Sequence, residues 1–384
     1  MAKMNVMNMV TPPPDLAAIS ALQSKLVSAL RPVLPEHALL WEPEDTIPYE
    51  CDGLAAYRRM PLAVALPETE EQVAQILKIC FAMEIPVVPR GSGTGLSGGA
   101  MPLSQGLVLS LAKLKKILSI DPFTRTAVVQ PGVRNLAISE AVSHLGLYYA
   151  PDPSSQIACS IGGNVNENSG GVHCLKYGLT LHNVLRVRGV LMNGEIVEFG
   201  SLAPDSPGLD LLAIMMGSEG MLAVVTEVTV KLVAKPKLAR VIMASFDDIE
   251  KGGNAVAAII AAGIIPAGLE MMDKATTRAV EEFVHAGYDL DAEAILLCES
   301  DGTPEEVAEE IERMTQVLEK AGASGIQISK DETERLKFWS GRKNAFPAAG
   351  RLAADYYCMD GTIPRRHIAT LLKRIQGMET KYGL

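Results

Sequence analysis

The stretch PRGSGTGLSGGA, residues 89–100, constrains this chain more than any other. Five of its twelve residues are glycine and none is acidic. A chain gives up side chains where φ must be positive, or where another group must approach the backbone closely. The usual visitor is a phosphate. Gly93, Gly95 and Gly98 spell G-x-G-x-x-G, but a Rossmann loop must then open a helix, with an acidic residue about 20 residues on. Here Gly98, Gly99, Pro102 and Gly106 forbid the helix, the strand-like GLVLSL follows, and lysines and leucines stand where the acid should be. The loop also lacks G-K-[ST], so it is not a Walker loop. What remains is a strand, a glycine loop and a second strand. Such a loop presents a nest of backbone N–H groups, with the hydroxyls of Ser92, Thr94 and Ser97 beside it. Arg90 either supplies charge or holds the loop. A glycine-rich turn without a ligand is the plainer alternative, and it would cost backbone entropy for nothing gained.

The remaining composition narrows the class. At 384 residues the chain exceeds what one core usually serves, so two domains are expected. A net charge of −10 with no acidic or basic tail argues against nucleic acid or anionic lipid as partner. Six cysteines without C-x-x-C spacing read as free thiols of a reducing compartment. Six scattered histidines include no H-x-x-x-H metal pair. The N-terminal MAKMNVMNMVTPPPDL lacks the apolar core of a signal peptide, and AVAAIIAAGII is too short to span a bilayer. A cytoplasmic protein without a transmembrane segment is expected, with docking to the inner face of the membrane through a partner left open.

Periodicity predicts an N-terminal helix over 14–31 and a second over TEEQVAQILKICFAME, capped by Thr69, with Val73, Ile76, Leu77 and Cys80 on one face. IPVVP, GLVLSL, KILSID and TAVVQPG read as strands, and VRNLAISEAVSHLG as a helix. NVLRVRGVLMNGEIVEFG reads as a hairpin with a type I′ turn at Asn193-Gly194. LAVVTEVTVKLVAKP reads as one long strand ending at Pro236, where the domain boundary is placed. Beyond it, strands and helices alternate, predicting an α+β, ferredoxin-like layer with helices on one face of an antiparallel sheet. The division is 1–49 as an N-terminal helical segment, 50–236 as the first domain and 237–384 as the second.

Two further stretches share the character of the glycine loop. PDPSSQIACSIGGNVNENSGGVHCLKYG, residues 151–178, interleaves glycines with Asn164, Asn166 and Asn168, which suits a large, flat, hydrogen-bonding ligand. GSEGMLAVVTEV, residues 217–228, is a turn leading into a buried strand. A ligand long enough to touch all three is a dinucleotide.

Taken together, P-R-G-S-G-T-G-L-S-G-G, then I-G-G-N-V-x-x-N-x-G-G with K-Y-G, then G-S-E-G, resemble the FAD-linked oxidases typified by vanillyl-alcohol oxidase and p-cresol methylhydroxylase. Within that family they are most similar to the branch of the glycolate oxidase D subunit and the D-lactate and D-2-hydroxyglutarate dehydrogenases. The resemblance runs from about residue 50 to the end. It implies an α+β FAD-binding domain of two subdomains, followed by a cap over the flavin. It implies that Arg90, Gly91, Ser92, Gly93, Thr94, Gly95, Leu96 and Ser97 hold the pyrophosphate. Pro131 and Gly132 would lie on the adenine side. Ser160, Gly163, Asn164 and Asn168 would line the flavin and its ribityl chain, Asp152, Pro153 and Gly170 would also bind the cofactor, and Glu219, Gly220 and Val225 would complete the pocket. Where some members carry a flavin-linking histidine this chain has Thr94, so non-covalent FAD is expected; Cys159, near the second loop, is not expected to form a flavin–cysteinyl bond either.

On the substrate side, LKFWSGRKNAFPA places Phe338, Arg342 and Phe346 at i, i+4 and i+8 of a helix. Arg342 is a candidate carboxylate clamp because its fork matches two oxygens. The resemblance supports it, since the family's R-K/R-E arginine binds the substrate carboxylate. DYYCMDGTIPRR departs from relatives with a carboxylate-binding lysine, having Cys358 there. The implied reaction is oxidation of a small 2-hydroxy acid, glycolate or D-lactate, with electrons passing to an iron–sulfur partner subunit or a quinone. No catalytic base is identified. His173 is the only histidine in a cofactor loop, and the plainer reading is a packing role. The family's H-x-G-D-G-N-x-H base and metal segment has no counterpart by Leu384, so a short C-terminus, an incomplete cap and no metal within this chain are expected. An FAD-binding subunit inactive alone, or a same-fold oxidase of alcohols or sugar lactones, are the alternatives; a buried Arg342 speaks against a neutral substrate.

Overall fold

The structure, a computed structural model, describes residues 16–203, 207–353 and 357–383. Residues 1–15 and part of DYYCMDGTIPRR lie outside the described residues.

The first layer begins with α1 (Leu16–Leu30), β1 (Leu39–Leu40), α2 (Pro43–Thr46), β2 (Ala63–Ala65), α3 (Glu70–Ala82), β3 (Val87–Arg90) and β4 (Leu107–Ser110). The strands order β1-β2-β4-β3, with β2 and β3 parallel to β4 and β1 antiparallel to β2. Helix α3 starts where sequence places it because Thr69 and Gln72 form a reciprocal capping box. Its apolar stripe, Val73, Ile76, Leu77 and Cys80, is buried against Leu26, Leu30, Leu107 and Leu109. Residues 16–40 thus share the core of this first sheet.

A second, five-stranded antiparallel sheet orders β5-β6-β10-β8-β9. The chain through this part runs β5 (Ile117–Asp121), β6 (Thr126–Val129), α4 (Asn135–Val142), β7 (Leu147–Tyr148), α5 (Ile161–Glu167), α6 (Cys174–Tyr177), β8 (Val184–Val190), β9 (Ile196–Gly200), α7 (Leu211–Met215), β10 (Val224–Lys231) and β11 (Val233–Ala234), with β7 and β11 pairing outside the five-stranded sheet. Two local expectations are corrected. The Asn193-Gly194 turn is not type I′, because only Gly194 is left-handed, at φ 81°. Leu191 accepts from Gly194 N at 2.8 Å and donates to Glu195 at 2.8 Å, so the glycine closes a type I turn as a bulge residue. A Cβ on Gly194 would come within 2.8 Å of the Ala74 carbonyl of α3, which packs against the turn. The long strand expected over LAVVTEVTVKLVAKP breaks at Leu232, whose N–H turns to Arg125, and β11 leaves to pair with β7.

The second domain holds β12 (Leu238–Phe246), α8 (Ile249–Ala261), β13 (Gly268–Asp273), α9 (Lys274–Val284), β14 (Ala294–Gly302), α10 (Pro304–Lys320), β15 (Gly325–Ile328), α11 (Glu332–Lys343), α12 (Ala345–Leu352) and α13 (Ile368–Tyr382). Its antiparallel sheet orders β13-β14-β12-β15. Helices cover both faces of this sheet rather than one. The central strands are apolar at successive positions, so neither face can stay wet. Ile242, Ala244, Leu296 and Cys298 pack under α8 and α10, while Val241, Met243, Ile295 and Leu297 pack under α9, α11 and α12.

Candidate functional site

The glycine loop leaves β3 at the end of the parallel layer and borders a cavity of about 1480 Å³. That exceeds the roughly 300–1,000 Å³ of an ordinary small-ligand site and suits an elongated ligand. Its walls bring together residues 90–97, Pro131, Ser160, Gly163, Asn164, Asn168, Gly170, Glu219 and Gly220. Lys343, Asn344, Phe346 and the segment around Cys358 face them from the second domain.

The loop is braced from behind. Arg90 is buried, and its Nη1 donates to the carbonyls of Cys51 at 2.7 Å and Ala100 at 3.4 Å. It therefore holds both ends of the loop rather than offering charge outward. Gly93 lies at φ 68°, and a Cβ there would strike the Arg90 guanidinium. Asp52, missed by sequence reading, accepts from the N–H groups of Leu54 at 2.9 Å and Ala100 at 3.4 Å. Among the described residues, the main-chain N–H groups of 91–97 donate to no protein acceptor. Seven consecutive free donors bordering a large cavity form an anion cradle.

The second loop uses its amides internally. Ser160 caps α5 by accepting from Gly163 N at 3.4 Å. Asn164 donates to Asn135 Oδ1 at 2.8 Å, and Asn168, left-handed at φ 47°, accepts from Leu181 N at 3.0 Å. Both line the cavity, yet these amide atoms are engaged within the protein, Asn164 with the Asn135 side chain and Asn168 with backbone. Asn166 ties the second loop to the third. It accepts from Gly220 N through its side chain at 3.1 Å and from Glu219 N through its carbonyl at 2.9 Å. Glu219, at φ 52°, is a strained non-glycine residue on the wall. Glu167, also missed, takes a hydrogen bond from Ser97 at 3.2 Å. Burial and the nearby Glu219 push its carboxyl up.

Five residues expected in the pocket stand off its walls. Gly132 packs behind it, where a Cβ would meet the Leu111 and Leu114 carbonyls at 2.6 and 2.8 Å. Val225 is wholly buried in the second sheet's core. Asp152 turns to His173, and Pro153 also lies off the wall. Arg342 Nε donates to Glu270 Oε2 at 2.6 Å. Phe346 does not continue the Phe338–Arg342 face. Pro347 has no N–H for the Lys343 carbonyl, so α11 ends at Lys343 with Asn344 as its cap, and Phe346 is the second residue of α12.

His173 lies in a cluster joining the two domains. Its Nδ1 is 2.7 Å from Asp152 Oδ2 and its Nε2 3.0 Å from Glu299 Oε1 on β14. Burial alone would lower its pKa, but bonds to Asp152 and Glu299 outweigh that and raise it to about 10. At neutral pH it is an imidazolium donating from both nitrogens, not a base. Glu299 also accepts from Arg335 Nη1 at 2.8 Å and from the Trp339 indole. Beside it, Asp301 accepts from Lys176 at 2.5 Å and Tyr177 at 2.7 Å. Cys159 is buried against the cavity, which raises its thiol pKa and disfavours the thiolate. No group of three or more His, Cys, Asp or Glu able to hold a metal occurs among the described residues.

With this geometry in hand, residues 61–200 match the FAD binding domain family and residues 235–384 the C-terminal domain of FAD linked oxidases. The glycolate oxidase subunit GlcD of Escherichia coli (strain K12) is 59% identical over 362 residues, covering 94% of this chain and 72% of that protein. A D-lactate dehydrogenase of Anaerostipes hadrus is 31% identical over 369 residues, covering 93% and 77%. Among solved structures, p-cresol methylhydroxylase with substrate bound superposes with a TM-score of 0.70 at 21% identity, covering 83% and 69%. That likeness supports the two-subdomain FAD-binding fold with an α+β domain after it.

Proposed function

This chain belongs to the family of FAD-linked oxidases, and on that premise we propose that it oxidises glycolate or D-lactate to the 2-oxo acid with non-covalent FAD as cofactor. The observation that carries the reading is the run of unpaired N–H groups at 91–97 along a cavity long enough for a dinucleotide. FAD, when bound, supplies a two-electron acceptor for the hydrogen on the α-carbon. The chain's own residues do the rest. The 91–97 donors hold the pyrophosphate, and Ser160 and Gly163 shape the wall beside it. Arg342 and Lys343 on α11 bring positive charge to the cap side for a carboxylate. The segments 343–347 and 357–362 close the cavity opposite the loop and exclude water.

The named relative is a subunit, so electrons leave through a partner protein in this reading, an iron–sulfur subunit or a route to quinone. That partner would hold the chain at the inner face of the membrane. No helix among the described residues is long and apolar enough to cross a membrane. A second reading, an FAD-binding subunit inactive alone, is favoured by one observation: no histidine lines the cavity among the described residues.

The test is a titration of apoprotein with FAD and with FMN. FAD should bind at least about a hundredfold more tightly, because FMN lacks the second phosphate and the adenosine that the cradle and the long cavity accommodate. Equal affinities would overturn the proposal.

A further inference from the structure

Glu270 on β13 and Arg342 on α11 meet through one bond only, Nε to Oε2 at 2.6 Å. Among the described residues neither Nη1 nor Nη2 of Arg342 has a protein partner. A guanidinium offers five N–H donors in a rigid fork, and a carboxylate competing for them would normally take two side by side. Glu270 instead takes the stem-side donor and leaves four. The side chain of Arg342 is 36% exposed and that of Glu270 22%, so the pair is neither sealed in the core nor loose on the surface.

Charge adds a second constraint. An Arg–Glu pair has no net charge, and although neither residue is on the cavity wall, Lys343 beside Arg342 is, together with the carboxyls of Asp52, Glu167, Glu219 and Asp360. A carboxylate would be repelled unless a further cation faced it. Lys343, the next residue, lines the cavity and makes no ion pair or side-chain hydrogen bond among the described residues. It supplies that charge.

We propose that Glu270 is a positioning residue. It fixes the guanidinium plane of Arg342 through Nε so that the Nη1 and Nη2 donors, with Lys343 alongside, receive the carboxylate of a 2-hydroxy acid. This rests on the reading of Arg342 as the carboxylate contact. Contact groups held by such supporting bonds usually lose affinity when the support is removed.

The probe is oxalate, titrated by calorimetry into the FAD-loaded chain and its variants, with FAD content and melting temperature as controls. Arg342→Met should weaken binding by roughly a hundredfold. Glu270→Ala should weaken it by about tenfold, since the fork is released. Glu270→Gln keeps an acceptor for Nε and removes a negative charge, so it should bind oxalate as tightly as the parent or more tightly. If Glu270→Ala fails to fold, Glu270→Gln decides alone: unchanged or tighter binding supports the proposal, and tenfold weaker binding overturns it. Unchanged or tighter binding in Glu270→Ala, with Arg342→Met still impaired, removes the role of Glu270 and leaves that of Arg342. Unchanged binding in Arg342→Met removes both.

Discussion

Gly93 stands at φ 68° with the Arg90 guanidinium where a Cβ would go. The two facts act together. Valine would meet about 1–3 kcal/mol of backbone strain and would push Arg90 off the Cys51 and Ala100 carbonyls that hold the loop closed. Gly93→Val should therefore purify folded but nearly free of FAD, read as the flavin-to-protein ratio after gel filtration. A variant with the parental flavin content would show that the loop is not the cradle. At this scale the sequence was legible because the demand falls on the main chain: glycines at fixed offsets mean close approach whatever surrounds them. Arg90 left two roles open, and only its burial and its bond to Cys51 chose between them. Arg342 was legible as a cation near a carboxylate site. Its partner Glu270 lies 72 residues away and could not be paired with it by spacing.

The His173 cluster joins four elements, α6, β14, α11 and the chain around Asp152, so its consequence belongs to elements rather than to one side chain. With its pKa raised to about 10 in the fold against about 6.5 when unfolded, His173 adds stability that is fully present below about pH 6.5. That stability declines as pH rises and is lost through about pH 10. His173→Asn should cost roughly 2–4 kcal/mol near pH 6, because two carboxylates lose their shared cation and Glu299 keeps Arg335 as its one cation, with the Trp339 indole beside it. Urea unfolding of both proteins at pH 6, 8 and 9.5 should show the gap narrowing. A gap that holds constant or widens would mean the imidazolium is not what joins the elements. Helix α3 and the strands flanking the glycine loop were readable from local signals, a capping box and β-rich runs. The cap's second helical face was missed because a strand apolar at every position is equally consistent with one buried face and a bulky neighbour. Its evidence lies in pairings such as Ile295 and Leu297 under α11, remote in sequence. The break at Asn344 was written in Pro347, but a helix carried across it by eight-residue spacing looked continuous.

At the scale of the whole molecule, the cavity's walls carry many groups that hold a ligand and, among the described residues, no histidine to take a proton. Oxidising a 2-hydroxy acid releases the hydroxyl proton along with the hydride, and a positioned base is worth about 10²–10⁴ in rate. The titratable groups on the described walls include four carboxyls, Asp52, Glu167, Glu219 and Asp360, and no histidine. Asp52 has both oxygens engaged by Leu54 and Ala100, and Glu167 accepts from Ser97, its carboxyl pushed up by burial and by Glu219. His173 is off the wall and already protonated between two carboxylates. The chain spans 72% of the E. coli glycolate oxidase subunit's length. Loaded with FAD, it should bind oxalate but be reduced slowly by glycolate or D-lactate. The expected rate is about 10⁻² per second or less, a typical turnover of about 1–10² per second lowered by the missing base. The measurement is anaerobic mixing with either acid while the flavin absorbance is followed. Bleaching within milliseconds would defeat the prediction and place a working base on these walls. Glu167→Gln would then be the first substitution to make, since its raised carboxyl faces the cavity beside the glycine loop and amide replacement keeps its size while ending its titration.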